Sequence, residues 1–92
     1  MPLAIHPGRI LRREMTARKL SANRLALELG VPSGRVTDIV NGKRGITADT
    51  ALRLGRRLGT SAQFWMNLQT RHDLIVAEEK LGRRLATEVR AA

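Results

Sequence analysis

The residues of this sequence that could do chemistry are basic, hydroxyl and amide side chains, and they concentrate between residues 23 and 44. Arg35 carries a planar guanidinium that can donate two hydrogen bonds to a guanine edge, and Thr37 can contact a thymine methyl. Four neighbouring side chains suit phosphate oxygens, namely Asn23, Arg24, Lys43 and Arg44. Such groups bind a polyanion through hydrogen bonds and charge, and this pattern predicts binding rather than bond-breaking chemistry.

Patterns for catalysis or metal binding are missing from the sequence. It contains no cysteine, and its two histidines, His6 and His72, are far apart with no close group of carboxylates, so we interpret both as structural or surface residues. Glu78 and Glu79 are interpreted as a solvated helix face. There is no nucleophile elbow, glycine-rich phosphate loop or carboxylate pair placed for acid–base work. We therefore predict no catalytic residue, no metal, no cofactor and no enzymatic activity.

The charge of the chain points to the kind of partner. Its 92 residues carry 17 Lys+Arg and 8 Asp+Glu, a net charge of +9. Residues 1–46 hold nine basic and three acidic residues (+6), whereas residues 47–92 hold eight and five (+3). This excess favours nucleic acid first and an anionic membrane surface second. The basic residues are spread over several short helices, which argues against a membrane-bound amphipathic helix. We expect double-stranded DNA and no membrane.

Capping residues and hydrophobic spacing predict an all-α chain of five to six short helices. After an extended segment, residues 1–6, Pro7 is predicted to begin the first helix. The predicted N-caps of the following helices are Ser21, Ser33, Thr47 and Ser61. The predicted helix ends are Gly30, Asn41-Gly42 and Gly59. The absence of cysteine fits a reducing compartment, and we expect a cytoplasmic protein.

Residues of the fourth and fifth helices are predicted to contribute to the core. In the fourth helix these are Ala48, Ala51, Leu52 and Leu58. At the start of the fifth helix, Phe64 and Trp65 are interpreted as a core plug under the fourth helix rather than a ligand cage. Gly82 weakens helical propensity, and Leu85 and Val89 beyond it predict a final helical segment.

Residues 22–41 have the spacing of a helix-turn-helix, two helices that meet steeply through a short turn. Ala26 is small where the helices cross, and Gly30 tolerates the positive φ that the turn needs. The apolar residues that would fill the junction are Leu25, Leu29, Val31, Val36 and Ile39. A helical hairpin without a ligand has the same spacing, but the basic excess favours a DNA-binding motif.

If the third helix enters a major groove, its outer residues face the bases. These are Ser33, Gly34, Arg35, Thr37, Asp38 and Asn41. Asp38 could accept a hydrogen bond from cytosine or could hold Arg35 in position, and we favour the second interpretation. Outside this helix, Arg12, Arg13 and Arg18 could extend the basic face or could contact a partner protein.

Residues 22–41 resemble the helix-turn-helix of phage repressors, and the wider chain resembles the HigA-type antitoxins. The stretches that carry this resemblance are His6–Glu14, Asn41–Thr47, Ala51–Leu54, Gly59–Gln69, Asp73-Leu74 and Ala77-Glu78. Within them the block Phe64-Trp-Met-Asn-Leu-Gln69 is specific to that family, whereas the helix-turn-helix is generic. Together these stretches cover about residues 6–80, which is most of the chain.

We expect one domain, residues 1–92, which works as a homodimer. One short recognition helix binds weakly, and two half-sites about 34 Å apart on a palindromic operator restore affinity. We predict that the C-terminal helical region, residues 61–92, is used in dimerisation. The candidate interface residues, which have no evident partner within the chain, are Leu74, Leu81, Leu85 and Val89.

The resemblance implies a transcriptional repressor that acts as the antitoxin of a toxin–antitoxin module. Such a protein represses its own operon and neutralises a partner toxin that cleaves mRNA. These toxins are usually basic, and a chain of charge +9 would repel one at long range unless its acidic residues cluster. The candidates for such an acidic patch are Glu78, Glu79 and Glu88. Alternatively, the toxin would bind through the first helix. The alternative is a stand-alone repressor-like regulator without a toxin partner.

Overall fold

The computed structural model describes residues 3–92 and confirms the all-α prediction. Its elements are α1 (Pro7–Ala17), α2 (Ala22–Leu29), α3 (Ser33–Val40), α4 (Ala48–Leu58) and α5 (Ala62–Glu88). No strand occurs within residues 3–92. Residues 3–6 precede α1 without regular structure, and Met1 and Pro2 of the predicted entry segment lie outside the described residues.

Most helix ends lie where local chemistry predicts them. Three N-caps are confirmed by a side-chain oxygen that accepts a backbone N–H, namely Ser21, Thr47 and Ser61. Gly30 and Gly59 end α2 and α4 in the left-handed conformation, which a glycine adopts at little cost. Pro7 is the first residue of α1 as predicted. The cap of α1 is His6, whose Nδ1 accepts the Gly8 N–H at 2.9 Å.

The prediction of Ser33 as an N-cap is wrong. The cap of α3 is Pro32 (φ −60°, ψ 144°), which makes no side-chain capping hydrogen bond, and Ser33 is the first helical residue. A proline disfavours helical geometry at the preceding residue, Val31. Pro32 itself is extended and its carbonyl accepts the Arg35 N–H at 3.0 Å, so it takes the cap position. Within residues 3–92, the first N–H groups of α3 consequently have no side-chain acceptor at the cap.

Trp65 forms the centre of the core, but Phe64 does not join it. The Trp65 side chain is fully buried, and its indole N–H donates to Thr60 Oγ1 at 2.8 Å. Phe64 is 39% exposed and meets the Trp65 ring edge-on, with the ring centroids 5.1 Å apart. Neighbouring residues on a helix point about 100° apart, so only one of the pair can face the core. The predicted burial of Phe64 was therefore wrong.

The buried face of α4 also differs from the prediction. Ala51 and Leu58 are buried as expected, whereas Leu52 is 65% exposed and Ala48 is exposed. The buried residues of this helix are Thr50, Ala51, Leu54, Gly55 and Leu58. Leu52 follows Ala51 by about 100° around the helix and falls outside this stripe, which faces α2 and α5.

α5 is one continuous helix of 27 residues that passes through Gly82, so the final helical segment predicted beyond that glycine is the end of α5. A single interior glycine costs about 1 kcal/mol relative to alanine, which is too little to stop an established helix. Val89 terminates α5 in an extended conformation (φ −118°) instead of continuing its repeat.

The length of α5 makes the molecule elongated. The radius of gyration is 15.5 Å, against about 12 Å for a compact chain of this size. Every residue from 77 to 92 is exposed, so the second half of α5 projects from the domain. Across residues 3–92, none of the helices is both long enough and apolar enough to span a membrane.

Candidate nucleic-acid interface

The α2–turn–α3 unit has the geometry that its sequence predicts. Gly30 adopts φ 72°, and the Val31 N–H donates to the Ala26 carbonyl at 3.0 Å, which closes the turn. The junction is filled by the buried side chains of Leu25, Ala26, Leu29, Val36 and Ile39. α1 packs on the buried side of α3. Within residues 3–92, no helix covers the opposite face of α3.

The uncovered face of α3 carries the predicted base-facing residues. Ser33, Gly34, Thr37 and Asn41 are exposed, and Arg35 and Asp38 are half-buried. Arg35 forms no ion pair with any carboxylate in residues 3–92, so its guanidinium is available to an external acceptor. Apart from its two chain neighbours and the backbone of α3 itself, nothing in that range lies within 4 Å of the position of a Cβ at Gly34. The beginning of α3 is therefore open to close approach by a ligand.

Asp38 does not hold Arg35, contrary to the interpretation that the sequence favoured. Its Oδ2 lies 3.9 Å from Arg44 Nε, and its backbone carbonyl accepts the Lys43 N–H at 2.8 Å. Gly42, at φ 74°, folds the chain back over the end of α3 and brings Arg44 to the carboxylate. Asp38 therefore shapes the basic loop after α3, residues 42–46.

The basic loop is also held by α5, through a residue whose role sequence reasoning missed. Gln69 Oε1 accepts the Ile46 N–H at 2.6 Å, and Gln69 Nε2 donates to Asp73 Oδ1 at 2.9 Å. A Cβ at Gly45 would lie 3.1 Å from the Gln69 side chain. Gln69 thus acts as a positioning residue for the loop that carries Lys43 and Arg44. Its signal in the sequence is a polar residue on the inner face of an otherwise apolar helix segment.

The two histidines meet beside this loop. The His6 and His72 rings lie 5.0 Å apart in an edge-to-face arrangement, and His72 Nδ1 is 3.3 Å from Asp73 Oδ1. Burial, followed by the neighbouring His72, lowers the pKa of His6 below its ordinary value. Among residues 3–92 no group of three histidine or carboxylate side chains is placed to hold a metal ion.

On the other side of α3, the start of α2 presents Asn23 and Arg24 to solvent. Arg24 Nε donates to Glu28 Oε2 at 2.8 Å, and Arg57 binds the other oxygen of the same carboxylate. Hydrogen bonds from Arg57, and then from Arg24, lower the pKa of the Glu28 carboxyl. The side chain of Arg24 is still 67% exposed, so it can also reach a phosphate.

The guanidinium of Arg18 is bound by two other groups of the domain. Its Nη1 lies 2.7 Å from Glu14 Oε1, and its Nη2 donates to the Leu58 carbonyl at the end of α4 at 3.0 Å. Arg53 makes a similar link, because its Nη1 donates to the Leu29 carbonyl at 2.9 Å. These arginines tie α4 to α1 and α2, whereas Arg12 and Arg13 remain exposed.

A helix-turn-helix with a bare, polar recognition helix between basic flanks defines the class of DNA-binding helix-turn-helix domains. The helix-turn-helix family profile matches residues 11–65, more than half of the chain. The chain belongs to this family of the phage-repressor type and, within it, to the HigA-type antitoxins.

Three similar proteins illustrate the membership. Virulence-associated protein I of Dichelobacter nodosus is 54% identical over 77 residues, which cover 83% of this chain and 71% of that protein. The structure of an addiction module antidote protein of the HigA family from Coxiella burnetii is 48% identical, with a TM-score of 0.94 over 99% of this chain and 100% of that one. Pseudomonas aeruginosa antitoxin HigA, solved with the higBA promoter, is 46% identical, with a TM-score of 0.92 over 96% and 97%.

Proposed function

We propose that this protein is a sequence-specific DNA-binding repressor that serves as the antitoxin of a toxin–antitoxin module and represses its own operon. One observation carries the proposal. The uncovered, polar face of α3 lies in a domain that is similar over almost its whole length to an antitoxin solved with its promoter. Binding to DNA phosphates accounts for the basic excess. We further propose that the protein has no enzymatic activity and acts in the cytoplasm.

The proposed contacts divide into base readout and backbone positioning. Arg35 would donate to guanine and Thr37 would contact a thymine methyl, with Asp38 beside them. Ser33 and Gly34 would let the first turn of α3 approach the groove, where its N–H groups suit an acceptor. The proposed phosphate contacts are Asn23 and Arg24 on one side and Lys43 and Arg44 on the other. Asn41, at the end of α3, is a further proposed contact to DNA.

The proposed homodimer would form through the C-terminal region, residues 61–92. Its projecting helix presents apolar side chains whose exposed fractions are 65% for Leu74, 36% for Leu81, 43% for Leu85 and 60% for Val89. Burying such a stripe against a second copy would remove apolar surface from water at about 25 cal/mol per Å². The dimer would place two α3 helices on the half-sites of a palindromic operator.

Neutralisation of a toxin is supported by the family membership. The acidic candidates lie on α5, where Glu78 and Glu79 are exposed and Glu88 pairs with Arg84 at 3.0 Å. Glu78 also borders the apolar groove that contains Leu81 and Leu85. We propose that a basic toxin would meet the exposed carboxylates of this helix, since the apolar side chains of the groove are those assigned to the dimer.

Two measurements test the proposed function. In a mobility-shift titration, the protein should bind the duplex upstream of its own coding sequence far more tightly than a random duplex, and it should keep this preference at about 0.2 M salt. Binding that ignores sequence and disappears at that salt concentration would refute specific repression. Co-purification with the product of the adjacent gene tests the antitoxin role. If that product does not bind while the operator does, the stand-alone regulator is correct.

A further inference from the structure

Three arginines on α1 form a basic surface that the proposed contacts above do not use. Arg9, Arg12 and Arg13, here called the α1 arginine cluster, follow the spacing that places residues on one helix face. They line an open depression together with Val40 and Asn41 at the end of α3. The cluster is therefore next to the recognition helix, on the side where that helix ends.

The cluster is held rigidly relative to α3. Gly8 lies so close to α3 that a Cβ at this position would be 1.9 Å from the Ile39 carbonyl oxygen. One turn further along α1, Arg12 Nη2 donates to Asn41 Oδ1 at 3.4 Å. Because α1 abuts the end of α3, any surface that receives the recognition helix also meets the cluster at a set distance.

The charges of the cluster are not neutralised within residues 3–92. No carboxylate in that range lies within ion-pair distance of these three guanidinium groups, and the nearby Glu14 is bound by Arg18. Several other arginines of the domain do have carboxylate partners, namely Arg18, Arg24, Arg44, Arg53, Arg57 and Arg84. Like charges this close repel one another, and an external anion removes that cost.

We propose that the α1 arginine cluster, together with Asn41, clamps the sugar–phosphate backbone of DNA beside the groove that receives α3. Guanidinium groups match phosphate oxygens in a bidentate geometry. Since Arg12 donates to Oδ1 of Asn41, the Nδ2 group of that residue would serve as a further donor to a phosphate. Asn41 is thereby assigned to the backbone rather than to a base edge. The clamp rests on the proposed DNA-binding function and adds a surface to it.

The clamp predicts a specific change in the salt dependence of DNA binding. Each phosphate that a protein neutralises contributes about 0.9 to the slope of log K against log salt. Removing three such contacts should make the negative slope shallower by about 2 to 3 and weaken binding on the order of a hundredfold near 0.1 M salt. Backbone contacts carry no sequence information, so the loss should be equal on specific and random DNA.

The test compares two triple variants of the full chain with the wild type. The first is Arg9→Gln/Arg12→Gln/Arg13→Gln. The matched control, Arg56→Gln/Arg83→Gln/Arg90→Gln, removes the same charge from exposed arginines distant from α3 in the chain. Because Arg83 and Arg90 lie in the proposed dimer region, this control must also sediment like the wild type. Dissociation constants are measured against potassium chloride concentration on the duplex upstream of the coding sequence and on a random duplex of equal length. A third variant with lysines at the three cluster positions should recover most of the slope.

The outcomes separate the clamp from the proposed function. A cluster variant that melts like the wild type but loses slope and affinity on both duplexes supports the clamp. Equal slopes in cluster and control variants overturn it, as does a loss confined to the upstream duplex. Unchanged DNA binding with lost binding of the adjacent gene's product would make α1 a protein-docking face instead. A wild type that binds neither duplex refutes the proposed function and the clamp with it.

Discussion

Arg35 is the side chain on which sequence preference is expected to depend most. It is half-buried at the start of α3 and has no carboxylate partner within the described part of the chain. We predict that Arg35→Ala weakens binding to the upstream duplex by about 1–3 kcal/mol and leaves binding to a random duplex nearly unchanged. Competitive mobility-shift titrations measure both affinities.

Lys43→Ala is the matched control for this prediction, because Lys43 lies in the basic loop rather than on the recognition helix. It should weaken binding to both duplexes alike and lower the salt slope by about 1. If Arg35→Ala also weakened both duplexes equally, Arg35 would be a phosphate contact and the proposed base readout would be wrong.

His6 makes folding stability depend on pH. Its Nδ1 must be unprotonated to accept the Gly8 N–H, and burial and His72 lower its pKa, while Asp73 and the Arg44 backbone act in the opposite direction. The unfolded chain therefore binds more protons than the folded chain below about pH 6.5. Stability should be fully present above that pH and should fall as the pH drops towards the lowered pKa of the folded state.

The substitution His6→Asn tests this dependence, because asparagine can accept the same hydrogen bond as an N-cap and does not titrate. Urea denaturation at a series of pH values should give a flatter profile below about pH 6.5 for this variant than for the wild type. His6→Ala should cost about 1 kcal/mol above about pH 6.5 through loss of the cap, and less at lower pH, where protonated His6 no longer accepts the hydrogen bond. An unchanged profile in His6→Asn would assign the pH dependence to other groups.

At the scale of elements, the connection between α5 and the basic loop depends on Gln69. Replacing it with alanine removes the acceptor of the Ile46 N–H. We predict that Gln69→Ala costs about 1–3 kcal/mol of unfolding free energy, because a half-buried donor is left unpaired. Hydrogen exchange at the Ile46 amide should accelerate more than exchange in α2.

Gln63→Ala serves as the control, since Gln63 is exposed and donates to Asn67 on the same helix. It should change the unfolding free energy by a few tenths of a kcal/mol. Equal destabilisation by both substitutions would mean that Gln69 contributes helix propensity rather than a link to the loop.

At the same scale, helix boundaries were predictable because capping is local chemistry. Ser21, Thr47 and Ser61 are the N-caps of α2, α4 and α5, as the local sequence predicts. The exception, Ser33, also has a local cause, because the proline that precedes it takes the cap position. Burial was less predictable, because the exposure of Leu52 depends on which face of α4 meets α2 and α5.

At the scale of the whole molecule, the projecting half of α5 is expected to form the dimer. Leu81 and Leu85 lie on one face of this exposed helix. We predict that Leu81→Glu/Leu85→Glu yields a monomer that keeps its fold, since the buried core residues of α1–α4 and Trp65 lie elsewhere. Binding to a two-half-site duplex should weaken by at least about tenfold, because two linked recognition helices become one.

The double variant Ala86→Glu/Thr87→Glu is the control, because it adds the same charge to exposed positions on other faces of the helix. Sedimentation velocity reports the oligomeric state of each variant, and a thermal melt reports the fold. A dimer that survives the leucine substitutions would place the interface elsewhere on the molecule.

The sequence by itself determined the all-α class, the helix-turn-helix junction, the family and the concentration of positive charge in residues 1–46. These properties follow from caps, turns and apolar spacing, which act over a few residues. Only the tertiary structure decided which basic side chains are free. Arg18 is bound to the end of α4, Asp38 pairs with Arg44, and the α1 arginine cluster stays open. Such pairings join residues distant along the chain, and they depend on the angles at which helices pack, which spacing alone does not encode.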